Sequence, residues 1–221
     1  MKTQEILSHV DHTLLKAVAT WEEIQTLCEE AIEYKTASVC VPPCYIKRIH
    51  DTYKERVNIC TVVGFPLGYS TTRAKLEEVK QALEDGASEI DMVINLTHVK
   101  NGDYHEVTEE IRKLKEAAGH KILKVIIETC YLTRDEKIAM CKAVTEGKAD
   151  YIKTSTGFGT SGAAMEDILL FKEHIGPQVK IKAAGGVKRV EDMEAFIEAG
   201  CDRIGTSSAI ALIKGQASNS Y

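Results

Sequence analysis

Five charged residues interrupt short aliphatic runs of this 221-residue sequence: Asp11, Asp91, Lys124, Lys153 and Lys182. Neighbouring residues of a strand point to opposite faces, so aliphatic neighbours that pack outward would leave all five charges facing inward. Charged side chains in the interior of a fold are costly, and stability alone favours aliphatic side chains there. The pattern therefore indicates a reactive site within the fold.

Two carboxylates and three lysines in one small space leave one positive charge in excess, so one lysine is expected to lose its proton. Lys153 and Lys182 lie on consecutive predicted strands, which parallel pairing would place about 4.8 Å apart. At that range one ammonium lowers the pKa of the other, and burial acts in the same direction. A neutral amine forms Schiff bases with carbonyl compounds. The alternative, lysines that extend to solvent as structural residues, stays open at this point.

Turns rich in Gly, Ser and Thr follow three of the aliphatic runs. They are Thr154-Ser155-Thr156-Gly157, Ala183-Ala184-Gly185-Gly186 and Gly205-Thr206-Ser207-Ser208, the last followed by an apolar helical run from Ala209 to Ile213. Glycine lets backbone N–H groups converge on an anion, and a helix N-terminus adds its dipole. The last two turns follow the seventh and eighth of the strands predicted below. In barrels of eight parallel strands, the loops after these two strands commonly bind phosphate. We therefore predict a phosphorylated substrate.

Strands and helices alternate along the whole chain. The predicted strands are His9 to Leu15, Ser38 to Val41, Asn58 to Val63, Glu89 to Asn95, Leu123 to Glu128, Tyr151 to Thr154, Val179 to Ala183 and Arg203 to Gly205. Stretches of helical period between them include Trp21 to Tyr34, Thr72 to Glu84, Tyr104 to Ala118, Thr133 to Thr145 and Arg189 to Ala199.

Eight units of similar length predict an α/β protein with a single (β/α)₈ TIM barrel over residues 1–221, in which 214–221 form a polar C-terminal tail. An open doubly wound sheet is the alternative. The near-equal units and the absence of a GxGxxG dinucleotide fingerprint favour the barrel.

Composition excludes several classes of protein. Hydrophobic residues make up 44% and charged residues 28%, which is typical of a soluble globular chain. With 33 acidic and 28 basic side chains the net charge is −5, which disfavours nucleic acid or an anionic membrane as a partner. We find no signal-peptide pattern and no run long enough to span a membrane, so we expect a cytoplasmic protein.

The seven cysteines resemble reduced, buried thiols more than a disulfide framework. Cys40 and Cys44 form one close pair, with Val41-Pro42-Pro43 between them and no second Cys/His cluster to complete a zinc site. We therefore expect no metal.

Several motifs together resemble those of the deoxyribose-phosphate aldolases, a family of class I aldolases. They are Asp11-His12-Thr13-Leu14-Leu15, Cys40-Val41-Pro42-Pro43, Gly64-Phe65-Pro66-Leu67-Gly68, Glu89-Ile90-Asp91-Met92-Val93-Ile94-Asn95, Lys124-Val125-Ile126-Ile127-Glu128, Tyr151-Ile152-Lys153-Thr154-Ser155-Thr156-Gly157, Lys182-Ala183-Ala184-Gly185-Gly186-Val187 and Gly205-Thr206-Ser207-Ser208. They cover nearly the whole chain, and their combination is far more specific than any one of them.

The resemblance implies roles for the inward charges. Lys153 would form the Schiff base, Lys182 would lower its pKa, and Asp91 would act with a water in proton transfer at a substrate hydroxyl. Lys124 and Asp11 would complete the polar network. The implied reaction, part of deoxyribonucleoside catabolism, is reversible cleavage of 2-deoxy-D-ribose 5-phosphate to acetaldehyde and D-glyceraldehyde 3-phosphate, with no metal or organic cofactor.

The resemblance also implies phosphate ligands: Thr156, Gly185, Gly186, Gly205, Ser207 and Ser208. One position departs from some relatives, which carry a lysine where this chain has Phe158, so backbone amides and hydroxyls would bear more of the phosphate contact. Tyr221 would assist proton transfer, as the terminal tyrosine of some family members does, although a frayed terminus is the alternative. A homodimer is one assembly that the sequence leaves open.

Two other functions remain to be separated from the aldolase. One is a phosphate-binding barrel isomerase that uses carboxylate acid–base chemistry, with the lysines as electrostatic clamps. The other is a regulatory module that binds a sugar phosphate without turnover, since a fold alone does not fix function.

Overall fold

Eight parallel strands close into a barrel in the computed structural model, which describes residues 1–215. The strands are β1 Val10–Thr13, β2 Ser38–Val41, β3 Ile59–Val63, β4 Glu89–Val93, β5 Ile122–Ile126, β6 Tyr151–Lys153, β7 Lys180–Ala184 and β8 Arg203–Thr206. Each strand pairs with the next along the chain, and β8 pairs with β1. The prediction of a (β/α)₈ barrel is confirmed, and the open sheet is wrong.

Helices connect the strands on the outside of the barrel. Within residues 1–215 they are α1 Thr3–Ser8, α2 Trp21–Tyr34, α3 Ile46–Tyr53, α4 Thr72–Glu84, α5 Leu96–Lys100, α6 Tyr104–Ala118, α7 Arg134–Glu146, α8 Met165–His174, α9 Val190–Ala199 and α10 Ala209–Ile213. Single 3₁₀ turns span Pro43–Tyr45, Lys54–Arg56 and Thr129–Tyr131.

Local sequence fixes where two of the longer helices begin. Thr20 precedes α2 and accepts a hydrogen bond from the Glu23 backbone N–H, while the Glu23 side chain accepts one from the Thr20 backbone. Thr133 and Glu136 form the same reciprocal capping box at the start of α7. These bonds satisfy N–H groups that have no partner within the helix, so each helix begins directly after its threonine.

The main hydrophobic core lies between the barrel and the surrounding helices. Ile90, Val125, Ile152 and Ile204 belong to it and are essentially inaccessible to solvent. In all four cases a neighbouring residue of the same strand is charged, as expected where alternate residues face outward and inward. The outer face of the sheet is thus packed with aliphatic side chains, and the inner face is free to carry polar groups.

Pairing of neighbouring strands brings the inward charges together. Asp91 on β4 lies beside Lys124 on β5, and Lys153 on β6 lies beside Lys182 on β7. Asp11 on β1 pairs with Gly205 on β8, which closes the ring.

None of the described helices combines the length and apolar character required to cross a bilayer. Of the predicted polar tail, only Lys214 and Gly215 fall within the described residues, and the Lys214 Nζ lies 3.6 Å from the Glu30 Oε1.

Candidate active site

The five predicted charges meet inside the barrel. Asp11, Asp91, Lys124 and Lys182 are fully buried, and Lys153 is 3% exposed. All five belong to one network of ion pairs, with carboxylates and ammonium groups in direct contact. The structure therefore brings together every predicted catalytic residue except Tyr221, which lies outside the described residues.

Asp91 is the centre of this network. Its Oδ2 accepts hydrogen bonds from Lys153 Nζ at 2.8 Å and Lys182 Nζ at 2.7 Å. Its Oδ1 accepts from Lys124 Nζ at 2.9 Å and from the Cys60 thiol at 3.1 Å. Burial alone would raise the pKa of Asp91, but the three lysines outweigh burial and hold the pKa well below its usual range. The carboxylate is therefore ionised at neutral pH.

Asp11 stabilises Lys182 from the opposite side. Its Oδ2 accepts a hydrogen bond from the Lys182 Nζ, and its Oδ1 accepts from the Ser38 hydroxyl at 2.8 Å. Burial would lower the pKa of Lys182, yet Asp11 and Asp91 together raise it above its ordinary value. Lys182 therefore stays charged, directly beside the oxygen that also binds Lys153.

Two further charges, which the sequence analysis did not identify, complete the network. Glu89 is 2% exposed, and its Oε2 lies 2.6 Å from the Lys124 Nζ. Arg203 donates to both Glu89 oxygens, at 2.9 and 3.0 Å, and also to Asp11. The sequence did contain an indication that Glu89 faces inward, because a residue two positions before Asp91 in a strand points to the same face as Asp91.

With these two residues, the interior holds three carboxylates and four basic side chains, so one positive charge remains in excess. This excess is the same as for the five predicted charges, because Glu89 and Arg203 compensate each other. Removing one proton from a lysine would leave the whole layer neutral.

A cavity of about 220 Å³ opens above the charged layer at the carboxyl ends of the strands. Lys153, the last residue of β6, lines this cavity, whereas Lys124 and Lys182 do not. In barrels of this type, side chains at the carboxyl ends of strands face the site built by the βα loops. Lys153 is therefore the one lysine of the network positioned to meet a molecule in the cavity.

Most of the predicted phosphate ligands line the same cavity: Thr156, Gly185, Gly186, Gly205 and Ser207. Ser208 is not one of the residues that line this cavity. It is 2% exposed, and its backbone N–H donates to the Thr206 hydroxyl at 3.1 Å. Lys188, which sequence reasoning missed, adds a cation to the cavity wall two residues after the predicted Gly-Gly turn. The same cavity is thus lined by an amine and by a glycine-rich, cationic wall.

An amine next to a buried carboxylate, facing a cavity with an anion-binding wall, suits Schiff-base chemistry on a phosphorylated carbonyl compound. Comparison with known proteins agrees with this chemistry. Residues 6–214 match the family described as DeoC/LacD family aldolase. The chain belongs to this aldolase family.

Relatives of this aldolase cover its full length. The deoxyribose-phosphate aldolase of Clostridium botulinum (strain Alaska E43 / Type E3) is 69% identical over 221 residues, which is 100% of both chains. That of Clostridioides difficile (strain 630) is 56% identical over 218 residues, 99% of this chain and 100% of the relative. The solved deoxyribose phosphate aldolase from Aeropyrum pernix, described as a unique tetrameric structure, has a TM-score of 0.87 and 30% identity, covering 97% of this chain and 92% of its own.

Among residues 1–215 of this aldolase, two groups of side chains have the spacing of metal ligands: Cys40, Cys60 and Asp91, and Asp11, Cys60 and Glu89. Both groups include carboxylates that already contact ammonium groups of the protein, among them the Lys124 Nζ at 2.6 Å from Glu89 and 2.9 Å from Asp91. A divalent ion at either place would sit next to that ammonium, so Coulomb repulsion opposes its binding.

Proposed function

We propose that this aldolase reversibly cleaves 2-deoxy-D-ribose 5-phosphate to acetaldehyde and D-glyceraldehyde 3-phosphate through a Schiff base on Lys153. The observation that carries the proposal is the position of the Lys153 Nζ, which lines the cavity while bonded to Asp91 at 2.8 Å. Relatives that carry the name deoxyribose-phosphate aldolase match the chain from end to end and support the choice of substrate.

The other two lysines are poorly placed to act as nucleophiles. Within the described residues, Lys124 lies within 4.0 Å of three carboxylates and Lys182 within that distance of two. Among the carboxylates of residues 1–215, Asp91 is the one that lies within this distance of Lys153. Because an ammonium held by several carboxylates keeps its proton, the nucleophilic role falls to Lys153.

The reaction begins when the unprotonated Lys153 amine attacks the aldehyde carbon C1 of the open-chain sugar, and loss of water gives a protonated imine. Removal of the proton from the C3 hydroxyl turns that oxygen into a carbonyl, and the C2–C3 bonding electrons move toward the iminium nitrogen. The products of this step are D-glyceraldehyde 3-phosphate and an enamine. Protonation of the enamine at C2 and hydrolysis of the imine release acetaldehyde and restore Lys153.

Asp91 and Lys182 would assist the proton transfers. The ionised Asp91 carboxylate, acting through a water, is the proposed acceptor for the C3 hydroxyl proton. Lys182 stays charged between Asp11 and Asp91 and fixes the Asp91 oxygen that faces Lys153. Lys124 and Asp11 hold Asp91 and Lys182 in place. Removal of any one of these four side chains would leave a buried charge without one of its partners.

The phosphate would bind at the glycine-rich wall of the cavity. Gly185, Gly186, Gly205 and Ser207 line that wall, with Lys188 as the nearby cation. We propose that Thr156 contributes by shaping this wall, since its N–H and hydroxyl are already bonded to Glu128, whereas the role of Ser208 as a phosphate ligand stays a prediction.

The family assignment favours an aldolase over the isomerase and over the regulatory module considered from sequence alone. We propose that residues 1–221 form one domain, that phosphorylated sugars and aldehydes are its partners, and that it acts in the cytoplasm without metal or organic cofactor. A homodimer and the role of Tyr221 stay predictions.

The test is a cleavage assay on two Lys153 variants. Lys153→Ala removes the amine, and Lys153→Arg keeps a cation that cannot form an imine. Both variants should fail to release acetaldehyde from 2-deoxy-D-ribose 5-phosphate while keeping the circular dichroism of the folded barrel. Turnover by either folded variant would contradict the proposed function.

A further inference from the structure

Glu128 is a buried carboxyl group that the proposed chemistry does not use. It lies two residues after the end of β5, is 2% exposed, and adopts a left-handed backbone conformation with φ of 50°. A residue other than glycine rarely takes this conformation, which is concentrated at functional sites. The position therefore calls for an explanation in terms of what the side chain contacts.

The Glu128 carboxyl group binds the two polar groups of Thr156. Its Oε1 accepts a hydrogen bond from the Thr156 backbone N–H at 3.1 Å, and its Oε2 accepts one from the Thr156 hydroxyl. The same hydroxyl oxygen accepts the Phe158 N–H at 3.0 Å. Thr156 is thus fixed three residues after Lys153, where the chain leaves β6.

A second contact joins Glu128 to the same loop. A Cβ atom added to Gly159 would lie 3.2 Å from the Glu128 Cδ and 2.7 Å from the Cys130 Sγ. A side chain at position 159 would therefore displace the Cys130 or Glu128 side chain, and glycine leaves room for the loop to lie against Glu128.

The far end of this loop rests on the predicted phosphate turn. The Ala163 N–H donates to the Ala184 and Gly185 carbonyls, each at 3.1 Å, and a Cβ atom on Gly162 would collide with the Gly185 carbonyl. Thr156, Gly159 and Gly162 line the cavity. The loop is thus a wall of the cavity, held by Glu128 at one end and by the turn at the other.

Burial of the Glu128 carboxyl group is costly. Loss of solvent raises its pKa, although the two Thr156 hydrogen bonds and the charge of Lys153 act against that rise. Within the described residues no cation contacts it directly, so Thr156 supplies its main stabilising bonds. The free-energy cost of burying this carboxyl group indicates that it serves to hold the loop in place.

We propose that Glu128 is a positioning residue that sets the phosphate end of the cavity by fixing Thr156 and the loop 156–162. The inference rests on the proposed function, because it assigns the loop to recognition of the phosphate of the sugar. In this role, the length of the Glu128 side chain matters more for phosphate recognition than its charge.

Two conservative variants separate reach from charge. Glu128→Asp keeps the charge but is one methylene too short for both Thr156 bonds, and aspartate tolerates the left-handed backbone. Glu128→Gln keeps the length and has one acceptor and one donor for the same two partners. Glu166→Asp, an exposed change at the start of α8, is the matched control.

The readout is the ratio of kcat/KM for 2-deoxy-D-ribose 5-phosphate to that for unphosphorylated 2-deoxy-D-ribose. Glu128→Asp should lower this ratio about tenfold, since small displacements of a binding wall have effects of this order or larger. Glu128→Gln and Glu166→Asp should keep it within about threefold of the wild-type ratio. Stabilisation of the protein by inorganic phosphate in thermal melts should fall in Glu128→Asp alone.

Three results would overturn the inference: an unchanged ratio in Glu128→Asp, an equal loss on both substrates, or an equal loss of the ratio in Glu128→Gln. If Glu128→Asp does not fold, Thr156→Val removes the hydroxyl bond from the other side and is judged by the same ratio. If the wild-type protein does not cleave 2-deoxy-D-ribose 5-phosphate, the proposed function is contradicted. In that case the thermal melts with inorganic phosphate still test the role of Glu128.

Discussion

The Nζ of Lys153 and the Oδ2 of Asp91 lie 2.8 Å apart where the charged interior of the barrel meets the cavity. The same Asp91 oxygen accepts a hydrogen bond from Lys182, so one carboxylate holds both the proposed nucleophile and a permanent cation. A substitution at Asp91 therefore affects both stability and catalysis, because it changes the net charge of the buried network.

Replacing Asp91 by asparagine should slow cleavage strongly and destabilise the barrel. The variant leaves Lys124, Lys153 and Lys182 with one carboxylate fewer, and loss of one partner from a buried ion pair costs about 3–5 kcal/mol. We expect kcat to fall at least 100-fold, and the free energy of unfolding in urea to drop by that amount. Asp51→Asn, at an exposed pair with Lys47, is the control and should cost less than about 1 kcal/mol. An Asp91→Asn protein as stable as the control would show that the network is not coupled as described.

Stability in acid should reveal the ionised state of Asp11. Burial would raise its pKa, but Lys182, Lys124 and Arg203 lower it below its ordinary value. A carboxyl group with a lowered pKa in the folded state stabilises the fold above its unfolded pKa, and that contribution is lost as the pH falls through the folded pKa.

The measurement compares wild type with Asp11→Asn by urea unfolding between pH 7 and pH 3. The variant should be less stable by about 3 kcal/mol at pH 7, and the difference should begin to shrink only below about pH 4. A difference that grows as the pH falls would have the wrong sign for a lowered pKa.

Arg203 should matter for stability more than a surface arginine does. Arg203→Lys keeps the charge but cannot donate to both Glu89 oxygens and to Asp11 at once. We expect a loss of about 2 kcal/mol, with cleavage reduced less than in Asp91→Asn because Arg203 does not line the cavity. Arg112→Lys, in a more exposed pair with Glu109, is the control. Equal stability of the two variants would remove Arg203 from the network.

Lys188 should contribute to substrate affinity through the phosphate. Lys188→Met removes the cation that follows the Gly-Gly turn, and loss of one charge-assisted contact of about 1.4 kcal/mol corresponds to a tenfold rise in KM for 2-deoxy-D-ribose 5-phosphate. KM for 2-deoxy-D-ribose should not change, nor should either value change in Lys142→Met, which alters an exposed lysine of α7. A similar rise for both sugars would place the phosphate elsewhere.

The alternation of residues along the strands was enough to predict the barrel and most of its charged layer. Asp11, Asp91, Lys124, Lys153 and Lys182 each stand beside aliphatic neighbours, and the structure buries all five on the inner face. That prediction succeeded because a strand has a fixed period of two, so the face of a side chain follows from its neighbours.

Other parts of the site depend on more than that period. Glu89 lies on the same strand face as Asp91, but Arg203 and Glu89 begin their strands, and their partners come from strands distant in the sequence. Glu128 follows the end of β5, where a left-handed backbone conformation breaks the alternation. Lys188 belongs to a loop whose path depends on its contacts with other loops. Residues outside regular strands therefore required the structure.

Borohydride trapping with acetaldehyde tests the central claim most directly. Reduction of the imine should add one ethyl group to the protein, and peptide mapping should place it on Lys153. An ethyl group on Lys124 or Lys182, or no adduct in a protein that cleaves 2-deoxy-D-ribose 5-phosphate, would contradict the account.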